Sequence, residues 1–243
     1  MANKAVGPMG ENKKTNGHVD DKKKSSRGAL TRFYLLAYNI TQTIGWTMIL
    51  YKLISYYLVP NNGKSLYDVL SFSLMWFQNA AVLEVFHAAT GMVKSSAIMT
   101  AFQVGSRVAV VCGVLLATNE ARLGLGLPMA VLAWSLTEII RYSNYACALF
   151  GSTPYFLKYL RYTLFIILYP IGITGELTCI YKAQCEVGEG QLYSIDMPNK
   201  YNFTFNYQHL LWFLMILYVP LFPQLYMYMF GQRKKALQKE KSN

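Results

Sequence analysis

Apolar positions along the chain gather into six long runs separated by short polar breaks. The first extends from Phe33 to Val59 and ends at Pro60-Asn61-Asn62-Gly63, a strong turn signal. The second covers Tyr67 to Met92, the third Ser96 to Ala117, and the fourth Leu127 to Phe150, which Gly151-Ser152-Thr153-Pro154 closes. The fifth, Tyr159 to Lys182, and the sixth, Gln208 to Phe230, complete the set. Each is long enough to cross a bilayer as a helix. A segment in lipid must satisfy its own backbone polar groups, which a single helix does. The pattern therefore predicts an all-α, polytopic membrane protein with six transmembrane helices. A polar tail over 1–31 reads as disordered. The six-helix domain covers 32–231, and a basic C-terminal tail covers 232–243.

Composition supports this class. Of the 243 residues 53% are hydrophobic and only 14% charged, against about 25% charged in a soluble domain. The mean hydropathy is +0.22. A net charge of +11 would suit a nucleic-acid binder, but much of the excess sits in the two tails. Basic segments beside spans mark the cytosolic side, and they also attract anionic lipid headgroups. The expected partner is thus the bilayer, with no nucleic acid. An even number of spans then puts both termini in the cytosol. Lys94 and Lys158 fall in the short cytosolic loops, and the loop from Ala183 to Tyr207 lies on the far side. That loop contains Asn202-Phe203-Thr204, so Asn202 is a candidate glycosylation site. Lys239 and Lys241, fifth and third from the end, resemble a dilysine retrieval signal of endoplasmic reticulum membrane proteins. Four cysteines without CxxC spacing indicate neither a zinc site nor a disulfide framework. The first thirty residues lack the apolar core of a cleavable signal peptide.

Charges inside the runs are few, and each is a functional candidate because burial of an ionisable group in a membrane is expensive. They are Glu84, Arg107, Glu138, Arg141 and Glu176, with Arg161 near a span end. Glu138 and Arg141 stand three apart and can pair on one helix face. Arg107 has no local partner and must meet a carboxylate of another helix or an anionic ligand. In the fifth run Tyr169-Pro170, Gly172, Gly175 and Glu176 fall within about two turns. Pro170 removes a backbone hydrogen bond and can kink the helix. Glycines let another helix approach closely. Counting rise along the helices places Glu84, Arg141 and Arg161 toward the cytosol, Tyr169 near the midplane and Glu176 beyond it. A basic mouth then leads to a tyrosine and a carboxylate.

Two motifs fail on inspection. Glu84-Val85-Phe86-His87 has the spacing of carboxylate-bridged metal helices, but the chain lacks the second pair such a site needs, so no metal site is expected. The stretch from His87 to Ser95 resembles, at a distance, a cysteine phosphatase loop. Position 88 is alanine where the nucleophile would stand, so that chemistry is unavailable.

Other stretches are more specific. Thr137-Glu138-Ile139-Ile140-Arg141-Tyr142, Arg161-Tyr162-Thr163-Leu164-Phe165, Leu168-Tyr169-Pro170-Ile171-Gly172 through Glu176, and Pro198-Asn199-Lys200-Tyr201-Asn202-Phe203 resemble the very-long-chain 3-hydroxyacyl-CoA dehydratase family, also called protein tyrosine phosphatase-like. The similarity runs from about Arg32 to the C-terminus. It implies a six-span protein of the endoplasmic reticulum membrane. It also implies the third step of fatty acid elongation, loss of water from a 3-hydroxyacyl-CoA to give the trans-2-enoyl-CoA. Elongase and enoyl-CoA reductase partners come with that reading. The family's catalytic pair falls on Tyr169 and Glu176, and its supporting residues on Arg107, Arg141, Arg161 and Gly172.

The residues suit that chemistry. Dehydration needs a base for the proton alpha to the thioester and an acid for the departing hydroxyl, and a carboxyl group can serve as either. Glu176 is the expected acid/base and Tyr169 its hydrogen-bonding or proton-transferring partner. Coenzyme A phosphates suit a basic mouth, and no cofactor is expected. A non-enzymatic transporter or scaffold with a polar path between helices is the alternative; no internal repeat supports it.

Overall fold

The computed structural model describes residues 15–60, 63–200 and 202–241, with side chains from 28 to 236 among them. Within these the chain is helical, with a single isolated β-bridge between Ile195 and Phe205. The elements are α1 (Thr15–Leu58), α2 (Leu66–Ala80), α3 (Leu83–Ala89), α4 (Ala97–Val108), α5 (Gly126–Phe150), α6 (Tyr155–Arg161), α7 (Phe165–Gly190) and α8 (Tyr207–Lys241). A π-helical stretch, Ala109–Leu115, prolongs α4, and a 3-10 turn, Glu120–Arg122, precedes α5.

Every apolar run lies largely in helix, and four helical stretches are long and apolar enough to cross a membrane: Leu66–Ala89, Ala97–Leu115, Phe165–Gly190 and Tyr207–Ala236. α1 and α5 are also long, at 44 and 25 residues, but are not among those four. Each buries polar side chains. On α1, Leu35, Asn39, Gln42, Trp46, Ile49 and Leu53 recur every three or four positions and are buried, while Ile40, Ile44, Met48 and Tyr51 on the other side are exposed. That buried stripe mixes apolar residues with Asn39 and Gln42, while large apolar side chains cover much of the opposite face, unlike a soluble protein's surface. α5 is central: it packs on α1, α6 and α7 and buries Ser135, Glu138 and Asn144.

Boundaries shift from the sequence expectation in several places, among them the end of α8, which runs past Phe230 to Lys241. The second run is split at Ala81 and Val82 between α2 and α3. The fifth begins as α6, breaks at residues 162–164, and restarts as α7 at Phe165. α7 then continues to Gly190, so the first part of the supposed far-side loop is helix. It does so because Ala183 and Val187 are buried on the bundle and Glu186 accepts a hydrogen bond from the Glu120 N–H at 2.7 Å. Gln191, with φ 47°, ends the helix in the left-handed region. At the N-terminus α1 reaches back to Thr15, into the segment expected as a tail; residues 1–14 lie outside the described residues. Propagating an existing helix is easier than starting one.

The α5–α7 crossing sets the interior. A Cβ at Gly175 would lie 2.5 Å from the Ala130 nitrogen and 2.8 Å from the Gly126 oxygen, both backbone atoms. Only a glycine permits this approach. One turn along α5 from Ala130, the closeness brings Trp134 against α7.

Candidate active site

Pro170 interrupts the ladder of α7, because a proline has no N–H to give the carbonyl four residues back. That carbonyl belongs to Ile166, and the Tyr226 hydroxyl of α8 donates to it at 3.0 Å. The gap in one helix thus becomes a docking point for another. α8 packs chiefly on α7. It presents Tyr218, Phe222 and Tyr226, spaced by one turn each, to the segment from Tyr169 to Glu176.

Glu176 is buried, with 6% of its surface exposed. Both carboxyl oxygens are engaged: Trp134 Nε1 donates to Oε1 at 2.7 Å, and the Tyr218 hydroxyl to Oε2 at 2.6 Å. Tyr169 is half-buried and its ring stacks on Phe222 and Tyr226, with centroids 5.3 and 5.8 Å away and planes within 10° of parallel. Its hydroxyl makes no hydrogen bond among the described residues. Tyr169 and Glu176 are therefore not hydrogen-bonded to each other. Seven residues separate the two along α7, a rise of about 10 Å, and it is Tyr218 of α8 that donates to Glu176. The two remain on one side of the helix, and Arg107 lies within electrostatic reach of Tyr169, Glu176 and Tyr218.

One turn beyond Trp134 a second polar cluster begins. Arg107 of α4 pairs with Glu138. Arg141 bridges two carboxylates, its Nε donating to Glu138 Oε2 at 2.9 Å and its Nη2 to Glu84 Oε1 at 2.8 Å. Tyr142 donates to Glu84, and the Tyr38 hydroxyl lies 3.4 Å from the same carboxylate. Two arginines and two glutamates from three helical stretches form one chain of alternating charge. Such a chain meets the requirement that buried charges be paired and hydrogen-bonded. Arg107 thus finds its carboxylate on another helix.

Arg161 stands apart. It has no carboxylate at ion-pair distance among the described residues. Its Nη1 donates to Asn144 Oδ1 at 2.8 Å, and its Nη2 to the Tyr145 hydroxyl at 3.1 Å. Its guanidinium sits 4.5 Å from the Tyr145 ring centre. Gly172 is buried, but a Cβ there would meet only the Ala133 Cβ, at 3.3 Å, so the tight contact belongs to Gly175. Asn202 is exposed, with φ 48°. Lys239 and Lys241 fall at the end of α8, where only the backbone is described. His87 is buried against the Tyr34 hydroxyl at 2.9 Å.

Sequence reasoning missed Trp134 and Tyr218. An aromatic residue in a span usually means packing. The available signal on α5 was Ala130, Trp134 and Glu138 at four-residue spacing, which puts the indole on the face that carries the buried charge.

The protein tyrosine phosphatase-like protein (PTPLA) family model matches residues 78–239. Very-long-chain (3R)-3-hydroxyacyl-CoA dehydratase 2 of Mus musculus is 46% identical over 216 residues, covering 89% of this chain and 85% of the relative. The dehydratase hpo-8 of Caenorhabditis elegans is 45% identical over 205 residues, 84% of this chain and 94% of its own. The dehydratase PASTICCINO 2 of Arabidopsis thaliana is 39% identical over 211 residues, 86% and 95%. No solved structure matches the chain.

Proposed function

As the chain belongs to the protein tyrosine phosphatase-like family, we propose that it removes water from very-long-chain (3R)-3-hydroxyacyl-CoA to give the trans-2-enoyl-CoA, the third step of fatty acid elongation. The observation that carries this reading is Glu176. It is a buried carboxylate within a helix apolar enough to span a membrane, with both oxygens held by donors.

In the reaction a base takes a proton from the carbon next to the thioester. The C–O bond at the next carbon breaks, and the hydroxyl leaves as water with a proton from an acid. No net oxidation occurs, so no redox carrier is required by the chemistry. Glu176 is the group assigned to acid/base work. Tyr169, on the same side of α7 and with a free hydroxyl among the described residues, is its assigned partner at the substrate. Arg161, with no carboxylate at ion-pair distance among the described residues, is assigned to the phosphates of coenzyme A, whereas Arg107 and Arg141 hold the helices that frame the site. The phosphatase suggested by the family's title lacks support here: Ala88 cannot act as a nucleophile.

The protein is placed as a multi-pass protein of the endoplasmic reticulum membrane with six spans and both tails, 1–31 and 232–243, in the cytosol. Asn39 and Gln42 of α1 and Ser135, Glu138 and Asn144 of α5, all buried, with large apolar residues exposed on the outer side of α1, favour counting both helices as spans. Elongases and the trans-2-enoyl-CoA reductase are the partners this step would need. The test is purified protein given a 3-hydroxyacyl-CoA and followed for the enoyl-CoA by mass spectrometry. Wild type should form it, and Glu176→Gln should lose on the order of 10²–10⁴ of the rate. Absence of product with wild type, or full activity in Glu176→Gln, overturns the reading.

A further inference from the structure

The two donors on Glu176 are chemically unequal. An indole N–H can only donate, whereas a phenol can donate or accept. Oε1, facing the Trp134 N–H at 2.7 Å, is therefore fixed as an acceptor. Any proton the carboxyl carries sits on Oε2, where the Tyr218 hydroxyl lies 2.6 Å away. That hydroxyl donates to the ionised carboxylate and turns to accept from the protonated one. The remaining groups near Glu176 are Arg107 from α4 and Tyr169 and Cys179 from α7. None of them has a hydrogen bond to it.

We propose that Tyr218 is a positioning residue for the reaction, confining the working proton of Glu176 to Oε2 while Trp134 holds Oε1. The proposal rests on the dehydratase reading. It gives the carboxyl a fixed orientation in both protonation states, so that the same oxygen takes and returns the proton. Both donors are needed: one oxygen must be closed to the proton for the other to be the only carrier.

The test uses the full-length protein in detergent or liposomes. Tyr218→Phe keeps the ring and removes the hydroxyl; Trp134→Phe keeps an aromatic body and removes the N–H. Tyr218→Phe should lower kcat on the order of 10–100-fold while KM stays within about twofold. Groups that act as a unit are non-additive, so Glu176→Gln with Tyr218→Phe should be no slower than Glu176→Gln alone. A merely structural role would move melting temperature and KM instead, or would add to the Glu176→Gln defect. A second readout does not depend on turnover. The infrared band of the Glu176 carboxyl, identified by its loss in Glu176→Gln, should shift in Tyr218→Phe. Should that variant fail to fold, fluorotyrosine at 218, a stronger acid of nearly the same size, should shift the band instead. An unmoved band, or a kcat within twofold of wild type, overturns the proposal. A shifted band in a protein whose wild type forms no enoyl-CoA overturns the dehydratase reading and leaves the clamp standing.

Discussion

Gly175→Ala is the most demanding test of the packing that builds the site. The added Cβ would lie 2.5 Å from the Ala130 nitrogen, and ordinary contact begins near 3.4 Å, so α5 and α7 must part by about 0.9 Å. The clash is with backbone, which no rotamer change relieves. Overpacking of this kind costs about 1–3 kcal/mol. Against it stands the better helix propensity of alanine, about 1 kcal/mol. Trp134 is one turn from Ala130, and its bond to Glu176 is 2.7 Å long. The same 0.9 Å opening stretches it to about 3.6 Å, where a hydrogen bond no longer exists. Losing a bond to a charged group adds about 1.5–3 kcal/mol. The net destabilisation is then roughly 1.5–5 kcal/mol, at about 2–4 °C of melting temperature per kcal/mol in a chain of this size. Thermal melting in detergent reads it, and the dehydration rate should fall by about tenfold or more as the clamp opens. Gly172→Ala is the control. Its Cβ would meet one methyl group at 3.3 Å, which a few tenths of an ångström relieves, so its melting should stay within about 1 kcal/mol of wild type. If Gly175→Ala melts with wild type and keeps its rate, the close crossing does not hold the site.

Tyr169→Phe should abolish most turnover while the stack on Phe222 and Tyr226 keeps the protein folded; near-normal turnover would remove Tyr169 from the chemistry. Arg141→Ala leaves Glu84 and Glu138 without their shared cation and should cost about 3–5 kcal/mol, read as loss of folded protein in the membrane. Arg161→Ala should instead stay folded and raise KM more than it lowers kcat; the reverse pattern would detach Arg161 from the coenzyme A phosphates. Protease added to sealed microsomes should remove epitope tags from both ends, and protection of either tag would refute an even number of spans. Replacing Lys239 and Lys241 with serine should weaken retention in the endoplasmic reticulum, and unchanged retention would assign it to another cause.

The helices were legible in the chain because apolar runs in lipid leave the backbone one solution, and most ends fell within a residue or two. The misplaced ends have local causes. α7 runs on past Lys182 because Ala183 and Val187 still find a buried surface, which composition cannot report. The charge pairs were half legible. Glu138 with Arg141 is a matter of spacing, and Arg107's need for a distant carboxylate follows from its isolation. Its partner, however, depends on how α4 lies against α5. Trp134 and Tyr218 were hidden for the same reason: each lies 42 residues from Glu176 and meets it only through an approach between helices, which for α5 and α7 Gly175 makes possible. Residues that work within one helix show in spacing, and residues that work between helices show only when the bundle is closed.

α8 follows the other helices in the chain and is made after them. Until it docks, the Ile166 carbonyl that Pro170 leaves free lacks its hydroxyl partner, Tyr169 lacks the rings it stacks on, and Glu176 is held by Trp134 alone. The site is therefore finished from outside, by a helix that leaves the ribosome after the seven before it. A chain halted before Tyr218 inserts its carboxylate into the bilayer without the orientation that would make it useful.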